Sequence, residues 1–208
     1  MRTSLFQSKL AQALLEPLSH WGLKWLGPWR FEGSFSPEIK KCVIIGAPHT
    51  SNWDFVYMVF AAFVLKQDFR WMGKDAIFRF PFGRLARWAG GISIDRSHSE
   101  NRVEKTIERF GAEERLMLII PPEGTRGRRE RWKTGFYYIA LGAQVPVIPC
   151  WVDYANKVIG IGEPMHLSGN LEQDLGRLKD FYRPEWGRHP ELFTPPLSEP
   201  EPPIKQAP

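Results

Sequence analysis

The sequence predicts an α/β fold: a single domain, a mixed β-sheet flanked by helices, with an N-terminal helical element. Three observations carry this. The chain has 208 residues, 43% hydrophobic and 25% charged, which suits one globular domain with a substantial core. From residue 41 onward, short apolar runs alternate with stretches of helical period, the pattern of a sheet with helices on its faces. Before residue 41, the apolar residues keep helical spacing instead.

Leu10, Leu14, Leu18, Trp21 and Trp25 recur at steps of four, four, three and four, one face of a helix. Pro17 falls inside this pattern and predicts two short helices rather than one. The stripe reads equally as a helical hairpin packed on the core and as an interfacial amphipathic element. Residues 1–40 are assigned to this element and 41–193 to the main domain. Residues 194–208 read as a disordered tail, because eight of the 18 prolines fall in the last 25 residues. Strands are expected at 42–45, 69–72, 92–94, 116–120, 145–152 and 157–161. Helices are expected at 54–66, 83–89, 99–113 and 132–142. The apolar stretch 55–65 reads as core. The stretch 79–89 mixes aromatics with Arg79, Arg84 and Arg87, and suits either a solvent-facing or a lipid-facing surface.

Composition excludes several classes. The longest uncharged apolar run, 55–65, is far shorter than the roughly 20 residues of a membrane-spanning helix. The first residues lack the continuous apolar stretch of a secretory signal, so a cytoplasmic protein is expected. Cys42 and Cys150 lie in apolar strand-like runs and read as buried, reduced thiols. No CxxC or HExxH spacing occurs, so no metal site is expected. A net charge of +5 with nine Trp fits either nucleic acid or an anionic membrane surface.

Four blocks could carry chemistry. His49 follows the first core strand, and Asp54 lies five residues on. On one continuous helix their side chains would point about 140° apart. They meet only if His49 precedes the helix and Asp54 lies in its first turn. Ser51-x-x-Asp54 alone reads as a helix cap with an incidental histidine. Gly91-x-x-Ile94-Asp95-Arg96 ends a short strand in an arginine placed to hold a phosphate or to make a surface ion pair. Pro122-Glu123-Gly124-Thr125-Arg126 follows the strand Leu116–Ile120 and offers donors to an anion. Glu123 is odd in a phosphate cradle and suits the orientation of Arg126 or of a substrate hydroxyl. Val145-Pro146-Val147-Ile148-Pro149 suits an edge or entry strand and reads as structural.

Together, in this order, the four blocks resemble the glycerolipid acyltransferase family, which includes 1-acylglycerol-3-phosphate and other lysophospholipid acyltransferases. His49 and Asp54 match its His-x4-Asp block. Gly91, Ile94, Asp95 and Arg96 match the second block, residues 122–126 the third and 145–149 the fourth. Lys133-Thr134-Gly135 matches a Lys-x-Gly often found between the last two. Pro48, Pro121 and Gly127 depart from the pattern at flanking positions. The resemblance spans about residues 41–152 and reverses the reading of the first block from cap to dyad.

The resemblance implies acyl transfer from a thioester to the free hydroxyl of a lysophospholipid-type acceptor. The leading acceptor is 1-acyl-sn-glycerol 3-phosphate, giving phosphatidic acid in phospholipid biosynthesis. Another lysolipid or hydroxylated lipid, or a non-catalytic basic binding module, is the alternative. Acyl-CoA or acyl carrier protein is the co-substrate, and no cofactor is implied. His49 acts as base and Asp54 orients it. Arg96 and Arg126 hold the phosphate, with Lys74 and Lys133 as further candidates beside Glu123, Gly124 and Thr125. Backbone N–H groups near Gly124 are candidates for stabilising the oxyanion. A lipid acceptor turns the basic charge toward an anionic membrane surface, with the protein peripheral to it, and away from nucleic acid.

Overall fold

The computed structural model describes residues 4–81, 83–94 and 100–196. Its centre is a seven-stranded sheet in the order β1-β7-β6-β2-β5-β3-β4. The strands are β1 Arg30–Glu32, β2 Lys41–Gly46, β3 Phe69–Lys74, β4 Gly91–Ile94, β5 Leu116–Ile120, β6 Val147–Asp153 and β7 Val158–Ile161. β6, β2, β5, β3 and β4 run parallel. β7 turns back antiparallel to β6, and β1 follows β7 in parallel. The sheet is therefore mixed, as expected.

The central strands read as unbroken apolar runs because both faces of the sheet are covered. Alternate residues of β2 serve opposite cores. Cys42 and Ile44 face helices α1 (Lys9–Trp25) and α2 (Trp53–Val64). Val43 and Ile45 face the opposite core, with residues of α5 (Gly135–Gly142) and α6 (Leu171–Phe181). α3 (Gly83–Trp88) precedes the edge strand β4, and α4 (Glu100–Ala112) leads back to β5. Both cysteines are free, and burial pushes the Cys42 thiol up to about 12.

Three expectations are corrected. The N-terminal element is one helix, α1, which runs through Pro17. Pro17 cannot donate to the carbonyl of Ala13, but both residues are exposed, so water can take that bond. Residues 30–32 of the same element add a strand to the main sheet. At the other end, the chain stays packed at Thr194, which is fully buried. Its Oγ1 accepts the N–H of Arg129 and its carbonyl accepts the indole N–H of Trp132. Residues 197–208 of the expected tail lie outside the described residues. Helix α6 was not anticipated. Leu175 and Leu178 bury its inner face, and Asn170 caps it by accepting from Gln173 N–H.

α1 buries its narrow face. Ala11, Ser19 and Leu23 are buried, and Gly22 lies so close to Phe60 that a Cβ there would sit 2.9 Å from the ring. The bulky stripe points outward instead: Leu10, Leu14, Leu18, Trp21 and Trp25 are 56–75% exposed. No helix among the described residues is long and apolar enough to cross a membrane.

Gly33, just after β1, has φ +77°, and a Cβ there would lie 1.9 Å from the carbonyl oxygen of Ile161. That oxygen belongs to the partner strand's backbone and cannot swing away. Gly33→Ala is expected to cost about 2 kcal/mol or more in urea unfolding.

Candidate active site

In an open parallel sheet, the loops at the carboxyl ends of the strands form the natural site. Here the loop after β2 carries His49, and α2 begins at Trp53. His49 Nδ1 lies 3.0 Å from Asp54 Oδ2. The same oxygen accepts the N–H of Ser51 at 3.0 Å. Ser51 Oγ in turn accepts the N–H of Trp53. The N-cap residue is Asn52, one place later than the sequence suggests, so Asp54 is the second helical residue. Cap and dyad are thus one arrangement: a single carboxylate reaches back to satisfy the loop and to hold the imidazole. A carboxylate at Nδ1 fixes the Nδ1–H tautomer and leaves Nε2 as the basic nitrogen.

The loop after β5 supports this from below. Glu123 is buried, and its Oε1 accepts the N–H of His49 at 3.0 Å. Its Oε2 is buried with no partner among the described residues. Burial pushes the Glu123 carboxyl up to about 7, an effect partly offset by the His49 N–H bond. Gly124 turns the loop with φ +64°. Its own N–H bonds to the Pro121 carbonyl at 3.1 Å, so that donor is not free for the expected oxyanion role. Thr125 Oγ1 accepts from Gly127 N–H within the loop. Lys133 lies across Gly124, its Cδ and Cε 3.2 Å from where a Cβ would be. The Arg126 guanidinium donates to Asn52 Oδ1, beside the dyad.

The fold therefore brings Glu123, Gly124, Thr125, Arg126 and Lys133 to His49 and Asp54. Lys74 ends β3, and its backbone pairs with Ile94. Arg96 and Asp95 lie outside the described residues, as does the Lys74 side chain.

Beneath the dyad, a cavity of about 500 Å³ runs between α2 and the sheet. His49, Asn52, Asp54 and Arg126 form its polar part. Phe55, Met58 and Ala61 line it from α2 and Leu65 from just past the helix, with Phe69, Trp71, Met72, Ile77 and Ile119 opposite. The stretch read as core is divided: Ala62 and Phe63 are packed in the interior, and the neighbouring face lines this cavity.

Sequence reasoning missed two residues at the site. Tyr154, in the β6–β7 turn, donates from its hydroxyl to Asp54 Oδ1 at 2.5 Å. Arg188 lies over the Trp53 ring, 5.6 Å from its centroid, close enough to act on the phenols of Tyr57 and Tyr154. Both lie outside any local motif. Only the polar turn after an apolar strand could have marked Tyr154, and nothing marked Arg188.

A family model described as acyltransferase matches residues 30–153, more than half the chain. The chain belongs to the acyltransferase family. A 1-acyl-sn-glycerol-3-phosphate acyltransferase from Haemophilus influenzae is 30% identical over 164 residues, covering 69% of this chain and 66% of that one. A protein of the same description from Salmonella typhimurium is 32% identical over 120 residues, 54% of this chain and 47% of its own. The chain spans about half the length of most curated acyltransferases it matches. Among solved structures, the 1-acyl-sn-glycerophosphate (LPA) acyltransferase PlsC from Thermotoga maritima superimposes with a TM-score of 0.59 at 19% identity. That match covers 82% of this chain and 75% of that one, and it establishes the fold.

The raised Glu123 carboxyl has a stability consequence. The native state keeps this proton up to about pH 7, whereas the unfolded state loses it from about pH 4.5. Between these values the native state binds more protons, so Glu123 makes stability fall as pH rises. Glu123→Gln keeps the acceptor for His49 N–H and removes the buried charge. It is expected to stabilise the protein by about 1–3 kcal/mol at pH 8 and by much less at pH 5, measured by urea unfolding at both.

Proposed function

We propose that the chain transfers a fatty acyl group from a thioester to the free hydroxyl of 1-acyl-sn-glycerol 3-phosphate, giving phosphatidic acid. The observation that carries this is the His49–Asp54 pair at the polar end of an apolar cavity, with Nδ1 held and Nε2 left as base. The printed descriptions of the relatives support the same acceptor.

In this reaction His49 Nε2 takes the proton of the acceptor hydroxyl as its oxygen attacks the thioester carbonyl carbon. A tetrahedral intermediate forms and collapses, the C–S bond breaks, and the imidazolium returns its proton to the departing thiolate. Asp54 stabilises the imidazolium through Nδ1. Neither cysteine is needed as a nucleophile, and burial pushes both thiols up, away from thiolate. The cavity beside α2 accepts an acyl chain. Arg126 is set to meet the acceptor phosphate, with Lys133 across the same loop and Arg96 assigned by the family pattern. Acyl-CoA and acyl carrier protein both fit as donors.

The enzyme works at an anionic membrane surface on the cytoplasmic side, bound peripherally. The outward stripe of α1 supports this. Full burial of one large apolar side chain is worth about 1.5–3 kcal/mol. Five such residues left in water on one helix face call for an apolar partner. Phe80, 97% exposed, and Leu85 add to the apolar surface beside Arg79, Arg84 and Arg87.

His49→Ala is expected to lower acyl transfer by about 10²–10⁴-fold in a protein with unchanged circular dichroism. Wild-type turnover in that folded variant would sink the assignment. Arg126→Ala is expected to raise KM for lysophosphatidate about tenfold while sparing an uncharged monoacylglycerol acceptor. Co-sedimentation with phosphatidylglycerol vesicles is expected to fall in the Trp21→Ala, Trp25→Ala double variant. Binding equal to wild type would remove α1 as the docking face.

A further inference from the structure

Tyr154 stands about a hundred residues from the dyad in the chain, yet its hydroxyl donates to Asp54 Oδ1 at 2.5 Å. The other oxygen, Oδ2, carries the bonds to His49 Nδ1 and Ser51 N–H. The carboxylate is thus gripped on both sides. A charge-assisted O–H···O⁻ bond of this length is among the strong ones.

The phenol is held so that it can do little else. Its backbone N–H donates to the carbonyl of Trp186 at 3.1 Å. The next residues of the turn are pinned by Asp153, which accepts from both the backbone and the side-chain N–H of Asn156. The Tyr154 ring stands edge-on to Trp29 and Tyr57, with centroids 5.9 and 5.5 Å away. Burial first, and then the Asp54 charge, push its hydroxyl far above the ordinary phenol range, so it stays a neutral donor.

We infer that Tyr154 is a positioning residue of the acyl-transfer site, acting on His49 through Asp54; this rests on the reading of His49 as base. The phenol does two things. It fixes the plane of the carboxylate, and hence the direction of the imidazole. It also draws negative charge toward Oδ1, which tempers the pull of Asp54 on an imidazolium at His49. The proton on the base is then held firmly enough to be accepted and loosely enough to be handed on.

Other charged or titratable groups face the dyad. Glu123 lies under His49 from the loop after β5, and Tyr57 is one turn along α2. Arg126 meets Asn52, and Arg188 covers Trp53 from the C-terminal segment. Tyr154→Phe leaves all of these in place and keeps the ring in its aromatic cage.

Two measurements on the full chain test the role. The first is the pH profile of kcat/KM in Tyr154→Phe and wild type, with lysophosphatidate and acyl-CoA. kcat/KM is expected to fall about tenfold or more, the loss of one hydrogen bond to a charged group. The acid limb is expected to move up by about 0.5–1 pH unit, because the untempered carboxylate holds the imidazolium more tightly. The second is the NMR titration of the His49 imidazole, assigned by difference with His49→Gln. Its midpoint is expected to move the same way. An unmoved midpoint with a native-like melting temperature overturns the inference, whatever happens to the rate. Failure of the proposed activity would appear separately, as absence of turnover in wild type.

Discussion

One carboxylate, Asp54, holds the site together. It accepts from the loop after β2 through Ser51 N–H and His49 Nδ1, and from the β6–β7 turn through Tyr154. These groups come from the carboxyl ends of two neighbouring parallel strands, β2 and β6, and from the helix between β2 and β3. Removing the carboxylate would leave three donors without their shared acceptor in a half-buried place, where unmade hydrogen bonds are costly. The sheet exists independently of Asp54, but the alignment of the loops at its end does not.

Below that carboxylate lies a second acid in different surroundings. Glu123 is buried, spends one oxygen on the His49 backbone and leaves the other unpartnered. Desolvation therefore dominates its titration, while Asp54 has donors on both oxygens. Two acids with different surroundings divide the work: one carries charge to the imidazole, and the other supports the loop from which the imidazole projects. The same division explains why an acid occurs in a loop otherwise suited to anions. Glu123 faces into the protein, whereas Gly124 and Arg126 face outward.

Much of the architecture was readable from local pattern. The runs at 116–120 and 157–161 stand out because strands covered on both faces admit few polar residues. α6 escaped because its apolar face is narrow and its buried acid, Asp174, is held by Tyr137 and Ser168 from outside the helix as well as by Arg177 within it. β1 is three residues long and owes its strand character to pairing with β7. Pro17 signalled a break that does not occur, because helix propensity is local while the packing of α1 on α2 is tertiary.

Only the resemblance of the four ordered blocks read His49 and Asp54 as a dyad rather than a cap. By itself the sequence determined the order of those blocks, the α/β class, and that the two side chains can meet if the helix starts between them. Those follow from period and spacing, which are properties of neighbours along the chain. Tertiary structure decided which acid would be buried with an unpartnered oxygen, which face of α1 would be buried, and that Tyr154 and Arg188 would stand at the site. Burial and hydrogen-bond partners decide such matters, and both come from segments that meet only when the sheet is assembled. The leucine and tryptophan stripe of α1 is the plainest case. Its spacing revealed a helix with one apolar face, and only the folded chain turned that face outward.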